Sequence, residues 1–369
     1  MKVSIWGAGK FGQYIKKQLE KREDIVLMSF IDSNIGEGYF DDLPVLSLAQ
    51  ARRQKVDLIL IAILDYTSVF DQLKNEDVSG IGIIKGNVYR FKRVISGNIY
   101  EDENIIWMTE IEIHKPVLKH LETNIMDGCN LNCKGCSHFS NLFMRNAHIS
   151  YDILCDDLRK IAENTFIVTL YLLGGEPLLH ERLIDYIEYS RKLLPYTEIE
   201  IVSNGLLIIK QSEEFFRCCR ENDVVISISG YQPTLAVKDK IIEVLENNRV
   251  NYIFRQEILS FGKNIDLQGK ADPETAHLKC RESSCHFFRK GKLYKCPFEA
   301  LGNYLFDRYN VDIRLEGGVD IYDTALKWDN VVKKLDTESI DACRYCGDEE
   351  QIEWKIENHP ELNDWVINH

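Results

Sequence analysis

A chain of 369 residues has room for two or three domains. Its 45% hydrophobic residues suit a globular protein, and no apolar run is long enough to span a bilayer. The formal net charge of −13 argues against a nucleic-acid-binding surface, and with it against a large RNA substrate. The chain opens as Met1-Lys-Val-Ser-Ile-Trp, without the pattern of a signal peptide. In a cytoplasmic protein, 11 cysteines point to metal binding rather than to disulfides.

The first element is a strand from Val3 that runs into Gly7-Ala-Gly9-Lys-Phe-Gly12 and then a helix. A second strand, Ile25–Ile31, ends at Asp32, twenty residues after Gly12. This is the spacing of a Rossmann dinucleotide fingerprint, in which the helix N-terminus receives a phosphate and the acid bonds a ribose hydroxyl. Asp57–Ile63 and Ile81–Lys85 read as further strands, and the domain ends near residue 90. That is about half the length of a full dinucleotide fold. Pro44-Val-Leu-Ser-Leu adds a resemblance to the small Rossmann-like domains of bacterial glycan-assembly proteins. Gly7, Gly9, Gly12 and Asp32 are therefore candidates for holding a nucleotide or nucleotide-sugar, and a structural or docking role is the alternative. Residues 91–118 read as a connector.

An apparent strand, Leu121–Met126, leads into Cys129-Asn-Leu-Asn-Cys133-Lys-Gly-Cys136. Clusters of four irons normally take four thiolates, so three leave one iron open. An open coordination position separates a working metal site from a structural one. A zinc site completed by His138 is the alternative. Further on, Leu170-Tyr-Leu-Leu-Gly174-Gly175-Glu176-Pro177 is an apolar run that ends in a tight turn. The C-x3-C-x2-C run followed by Gly-Gly-Glu-Pro resembles the radical S-adenosylmethionine (SAM) superfamily. The resemblance implies that a 4Fe-4S cluster on Cys129, Cys133 and Cys136 binds SAM and cleaves it to a 5′-deoxyadenosyl radical, which takes hydrogen from substrate. It implies that Glu176 and the Gly174–Gly175 backbone, with Pro177 closing the turn, hold the methionine amino group. Ser203-Asn204-Gly205 resembles the element near the SAM ribose, and Ser229 stands where many relatives carry an aspartate. Gly135 departs from the aromatic residue common before the third cysteine.

Between residues 119 and 272, strands alternate with helices. The strands are Phe166–Leu173, Glu198–Ser203, Val224–Ser229 and Tyr252–Glu257, and the helices Glu181–Leu194, Ser212–Glu221 and Thr234–Asn247. Such parallel βα units fit the partial (β/α)6 TIM-type barrel that the resemblance implies. Cys129, Glu176, Asn204 and Ser229 all fall at or beyond strand ends, where barrel active sites are built. Arg255 and Glu257 either face substrate or form a surface pair.

Residues 273–369 hold Cys280, Cys285, Cys296, Cys343 and Cys346, with Gly291 giving G-x4-C into Cys296. The layout resembles the SPASM/twitch extensions, which bind auxiliary iron–sulfur clusters. One cluster needs four thiolates, so five cysteines fit the shorter twitch type. Cys296, Cys343 and Cys346 then bind with either Cys280 or Cys285, and the spare thiol is a hydrogen donor or a bystander. Zinc is the alternative there too. Cys155, Cys218 and Cys219 lie in helical patterns as inert buried thiols. Trp354–Trp365 reads as a closing helix.

The expectation is thus an α/β radical SAM oxidoreductase or epimerase with two 4Fe-4S clusters, SAM and a flavodoxin or ferredoxin type reductant. The N-terminal domain tilts the substrate towards a sugar or nucleotide-sugar, with a place in glycan biosynthesis, by analogy. A peptide-modifying maturase and a zinc-binding scaffold or sugar-nucleotide sensor are the alternatives.

Overall fold

A computed structural model describes residues 1–35, 38–74, 80–84, 105–108 and 113–367. The chain forms two compact units, Met1–Lys115 and Pro116–His369. Most of the expected connector, and the boundary near residue 90, lie outside the described residues. Ile105–Met108, within that stretch, is nevertheless a strand of the first unit's sheet.

The first unit holds β1 (Lys2–Trp6), β2 (Val26–Ile31), β3 (Gly38–Phe40), β4 (Leu43–Leu46), β5 (Leu58–Ile61), β6 (Ile81–Ile84) and β7 (Ile105–Met108), ordered β3-β4-β2-β1-β5-β6-β7. The inner five strands are parallel, and β3 and β7 pair antiparallel at the edges. Helix α1 (Lys10–Leu19) follows β1, and its Phe11, Ile15 and Leu19 pack with Val3, Ile5, Leu58 and Leu60. Ser47 caps α2 (Leu48–Arg53) through a capping box with Gln50.

The second unit is built on β8 (Val117–Met126), β9 (Phe166–Gly174), β10 (Glu198–Ser203), β11 (Val224–Gly230) and β12 (Asn251–Glu257), parallel throughout and adjacent in chain order. Helices α3 (Tyr151–Asn164), α4 (Leu183–Leu193) and α5 (Glu213–Glu221) connect them in turn. The helix expected over Thr234–Asn247 is broken. Gln232–Leu235 forms one turn, and α6 (Lys238–Asn247) starts afresh after Val237. The sixth parallel strand comes from the cysteine-rich region: β13 (His286–Arg289) joins the free edge of β8. It turns through Lys290 and Gly291, both at positive φ, into β14 (Lys292–Tyr294). This two-residue turn explains the glycine five residues before Cys296.

Successive strand residues point to opposite faces. Leu121, Ile125, Leu170, Leu172, Ile199, Ile201, Ile226 and Ile228 face one way and pack on Leu158, Ile161, Ile187 and Phe215 of the helices. Burial of each such side chain contributes on the order of 1.5–3 kcal/mol. The register puts Glu122 opposite Tyr171, Tyr171 opposite Glu200, and Glu200 opposite Val225. The other, inner face therefore carries His120, Glu122, Tyr171, Glu200, Ser227 and Arg255. This polarity leaves it suited to a site rather than to a core.

Two cross-ties hold the cysteine-rich region to the parallel strands. Arg289 of β13 makes two parallel 2.9 Å hydrogen bonds to Asp127, two residues before Cys129. Both side chains are 5% exposed. A separate ribbon, β15 (Ser260–Ile265) with β16 (Cys346–Glu353), leads the chain back over the strand ends. Residues 354–367 are not a helix. They run as irregular backbone with one turn at Leu362–Asp364, because the backbone groups of Lys355 and Glu357 bond the cysteine loop instead of one another. Arg289→Met leaves the Asp127 carboxylate buried without its partner. Urea denaturation is expected to show a loss of about 3 kcal/mol, part of which Asp127→Asn in the same chain restores.

Candidate functional site

The three cysteines after β8 lie together. Cys133 is buried, Cys129 and Cys136 are half-buried, and all share a small apolar cluster with Leu131, Tyr231 and Trp354. Burial pushes the Cys129 thiol up to about 12, with Glu176 and the other two cysteines adding to the effect. Burial, then Cys136, likewise takes Cys133 to about 12. A metal ligand must be a thiolate, and three cysteines gathered in one cluster are a donor set that fits a metal cluster. His138 is turned elsewhere, its Nδ1 bonded to Asn124 Oδ1 at 2.9 Å.

Gly-Gly-Glu-Pro sits directly against this loop. The Gly175 N–H donates to Met126 O and the Glu176 N–H to Gly128 O. A Cβ on Gly174 would lie 1.9 Å from Met126 O, and one on Gly175 2.1 Å from Gly128 O. The glycines are there because two backbones touch. Glu176 is fully buried, and its carboxylate accepts from Leu178 N at 3.1 Å, Ser203 Oγ at 2.7 Å and Asn204 N at 2.9 Å. Burial raises its carboxyl to about 7 against the pull of these donors. Pro177 starts the short turn that follows. Asn204 in turn donates to Asn130 Oδ1 at 2.7 Å, with its Nδ2 3.8 Å from Cys129 Sγ. Cys129, Glu176, Ser203 and Asn204 thus form one connected network. Ser229 is buried near the end of β11, its carbonyl accepting from Tyr231 N of the turn that follows.

Sequence reasoning missed the cover over this loop. Trp354 and Tyr231 stack with centroids 5.2 Å apart, beside the cysteines. Lys134 N donates to Lys355 O, Glu357 N to Asn132 O, and the Trp365 indole to Cys136 O at 2.8 Å. Gly135 takes φ +66°, and a Cβ there would meet Ile352 at 2.5 Å and Asp364 O at 2.9 Å. The glycine that replaces the usual aromatic admits this C-terminal segment, and it was the one available signal.

The remaining cysteines divide. Cys280 ends α7 (Pro273–Lys279), Cys296 caps α8 (Pro297–Tyr309), Cys343 lies in the turn Asp341–Tyr345, and Cys346 begins β16. Burial pushes Cys346 up to about 12, with Cys343 and then Cys280 contributing. Burial also raises Cys296, which senses Cys346 as well. Cys285 lies beside Glu122 and His120 on the inner face, with Cys280 near enough to add to the rise of its thiol. Cys280, Cys296 and Cys346 line a cavity of about 760 Å³ that also reaches Gly135 and Ser137 of the first loop. The buried Lys295 lies near Cys343 and Cys296 and supplies positive charge there.

Arg255 donates to Ser227 Oγ at 2.7 Å and pairs with Glu200 at 3.2 Å. The pairing is across strands, not with Glu257. Cys155, Cys218 and Cys219 are buried among the helices. In the first unit, Asp32 accepts from Ala8 N at 3.0 Å and from Asn34 N at 2.8 Å. The acid expected on a ribose braces the glycine loop itself. Gly7, at φ +118°, and Gly12 pack closely, a Cβ on Gly12 lying 1.9 Å from Gly7 O, whereas Gly9 has open space.

Residues 123–245 match the radical SAM superfamily. The matched stretch is 123 of the 369 residues and contains the three-cysteine loop, Gly-Gly-Glu-Pro and Ser203-Asn204-Gly205. Two curated relatives are GTP 3′,8-cyclases. That of Thermodesulfovibrio yellowstonii is 28% identical over 105 residues, 27% of this chain and 31% of the relative. That of Clostridium acetobutylicum is 30% identical over 108 residues, 28% and 33% of the two chains. The chain spans about a third of the length of these relatives. Among solved structures, BtrN in complex with AdoMet and 2-DOIA is similar at 17% identity and a TM-score of 0.39, over 63% of this chain and 94% of that one. Among the described residues, no helix is long and apolar enough to cross a membrane.

Gly175→Ala forces the cysteine loop away from β9. It is expected to cost about 2 kcal/mol of stability and to abolish iron loading of the first site. Gly9→Ala, with open space around it, leaves melting temperature and iron content unchanged.

Proposed function

We propose that this chain is a radical SAM enzyme that cleaves SAM reductively and abstracts hydrogen from a carbon centre of a sugar or nucleotide-sugar substrate, giving a two-electron oxidation of an alcohol. The observation that carries the reading is the network joining Cys129, Glu176, Ser203 and Asn204 at adjacent strand ends. Cys129, Cys133 and Cys136 hold the first 4Fe-4S cluster. Cys280, Cys296, Cys343 and Cys346 would hold the second, since the Cys346 thiol feels Cys343 and Cys280, whereas Cys285 groups with His120 and Glu122. When bound, the first cluster supplies the electron that cleaves SAM, and the second accepts the electron that substrate oxidation releases. Gly174, Gly175, Asn204 and Ser229 would hold SAM, with Glu176 keeping the ends of β9 and β10 in place. Tyr231 and Trp354 exclude water above the cysteines.

The inner face supports a polyhydroxylated substrate. Glu122, Tyr171, Glu200, Ser227 and Arg255 offer donors and acceptors and little apolar surface. The curated relatives are named for GTP, a nucleotide, which accords with a nucleotide-linked sugar. The Rossmann-like N-terminal unit is read as a docking or nucleotide-sugar module. Epimerisation is the second reading, favoured by one observation: the spare thiol, Cys285, lies on the same inner face and offers a hydrogen to the opposite side of the substrate. Either reaction draws on a flavodoxin or ferredoxin type reductant.

Two measurements test this. Incubation with SAM and carbon-deuterated nucleotide-sugars is expected to move one deuterium into 5′-deoxyadenosine, and transfer only from deuterated peptides would place the chain with the maturases. Iron analysis is expected to give about eight irons per chain, falling to about four in Cys280→Ser and staying at eight in Cys285→Ser. Four irons in Cys285→Ser would reverse the assignment of those two residues.

A further inference from the structure

The inner face carries a group of donor side chains that neither cysteine set uses. His120 and Glu122 stand two residues apart on β8 and so share a face, with His120 Nε2 2.9 Å from Glu122 Oε2. β13 pairs beside β8 with His286 opposite Leu121. Cys285, one residue earlier, therefore comes alongside His120. One donor atom from each of His120, Glu122 and Cys285 lies within 4.8 Å of the other two. Tyr171 stacks on the imidazole at 4.2 Å between centroids and fixes the ring. Glu122 is 5% exposed.

The charge around this group is one-sided. Burial pushes the Cys285 thiol up to about 12, with Glu122 and then Glu282 adding to the shift. Burial raises the Glu282 carboxyl as well, with Glu122 the next cause. Two carboxylates and a thiol thus surround one imidazole.

We propose that His120, Glu122 and Cys285 bind one zinc ion, with its fourth coordination position open to the inner face of the sheet for a substrate oxygen. Three protein ligands of mixed nitrogen, oxygen and sulfur type mark a working rather than a structural zinc site. At ordinary bond lengths, tetrahedral zinc places such ligand atoms about 3.3 to 3.7 Å apart. Atoms already within 4.8 Å reach that by small side-chain rotations. The ion answers the excess of negative charge, and binding releases the Cys285 proton. A zinc-bound thiolate has no S–H to return, so the site favours oxidation over epimerisation. The use of Cys285 rests on the assignment of Cys280 to the second cluster, and the last consequence on the radical SAM reading.

The test uses the full chain with both iron–sulfur sites loaded, dialysed anaerobically against zinc sulfate and then against buffer. About one zinc per chain is expected, with a zinc K-edge spectrum showing one sulfur and three lighter scatterers. Cys285→Ser and His120→Gln are expected to weaken zinc binding roughly tenfold or more, and Cys218→Ser, in a helix and outside both cysteine sets, to leave it unchanged. The proposal is overturned by wild-type protein that retains no zinc, as a plain His–Glu pair beside a spare thiol would behave. A four-sulfur shell, or zinc retained by both variants, overturns it equally. Zinc is read without SAM, so a failure of SAM cleavage leaves this result standing.

Discussion

The site depends on one buried carboxylate. Glu176 has no solvent contact, and its two oxygens take three donors: one from its own turn and two from the end of β10. Charged acceptors make the stronger hydrogen bonds, and a donor left without one in such a place is costly. The strand ends of β9 and β10 are thereby fixed to each other, and Asn204 passes that constraint to Asn130 and Cys129. Two glycines do the same on the other side, where only a residue without Cβ lets β9 touch the cysteine loop. These contacts on two sides hold the loop that carries the three thiols.

The same alternation that builds the core builds the polar inner face. Leu121 and Ile125 of β8 are buried under the helices, and His120, Glu122 and Asn124 face the other way. A one-residue slip would exchange the two sets. The inner face is joined to the cysteine-rich region by β13, which extends the sheet and sets Arg289 on Asp127. Cysteine-rich region, inner face and cysteine loop thus share one framework.

Much of this was legible in the sequence. The three cysteines, Gly-Gly-Glu-Pro and Ser-Asn-Gly each follow a strand, and strand–helix alternation is a strong local signal. The five strands β8–β12 fall close to where their apolar runs place them. Other features were not legible because they depend on distant pairing. Trp365 meets Cys136 across 229 positions, from irregular backbone with no period to read. The segment read as a helix has aromatic residues at helical spacing, yet its backbone groups are drawn to the cysteine loop. The choice between Cys280 and Cys285 turns on which residue precedes β13, and the edge that β13 takes is a tertiary fact. Asp32 lies where the motif demands, and one of its oxygens accepts from Ala8 of the glycine loop while the other accepts from Asn34 of its own turn.

The central claim is that Cys129, Cys133 and Cys136 form a SAM-cleaving centre. Anaerobic protein loaded with iron and sulfide, reduced with dithionite and given SAM, tests it by the appearance of 5′-deoxyadenosine. The account predicts product from the wild-type chain and from Cys285→Ser, and none from Cys133→Ala. Product undiminished in Cys133→Ala, or a wild-type chain that holds zinc on these three cysteines and leaves SAM intact, would contradict it.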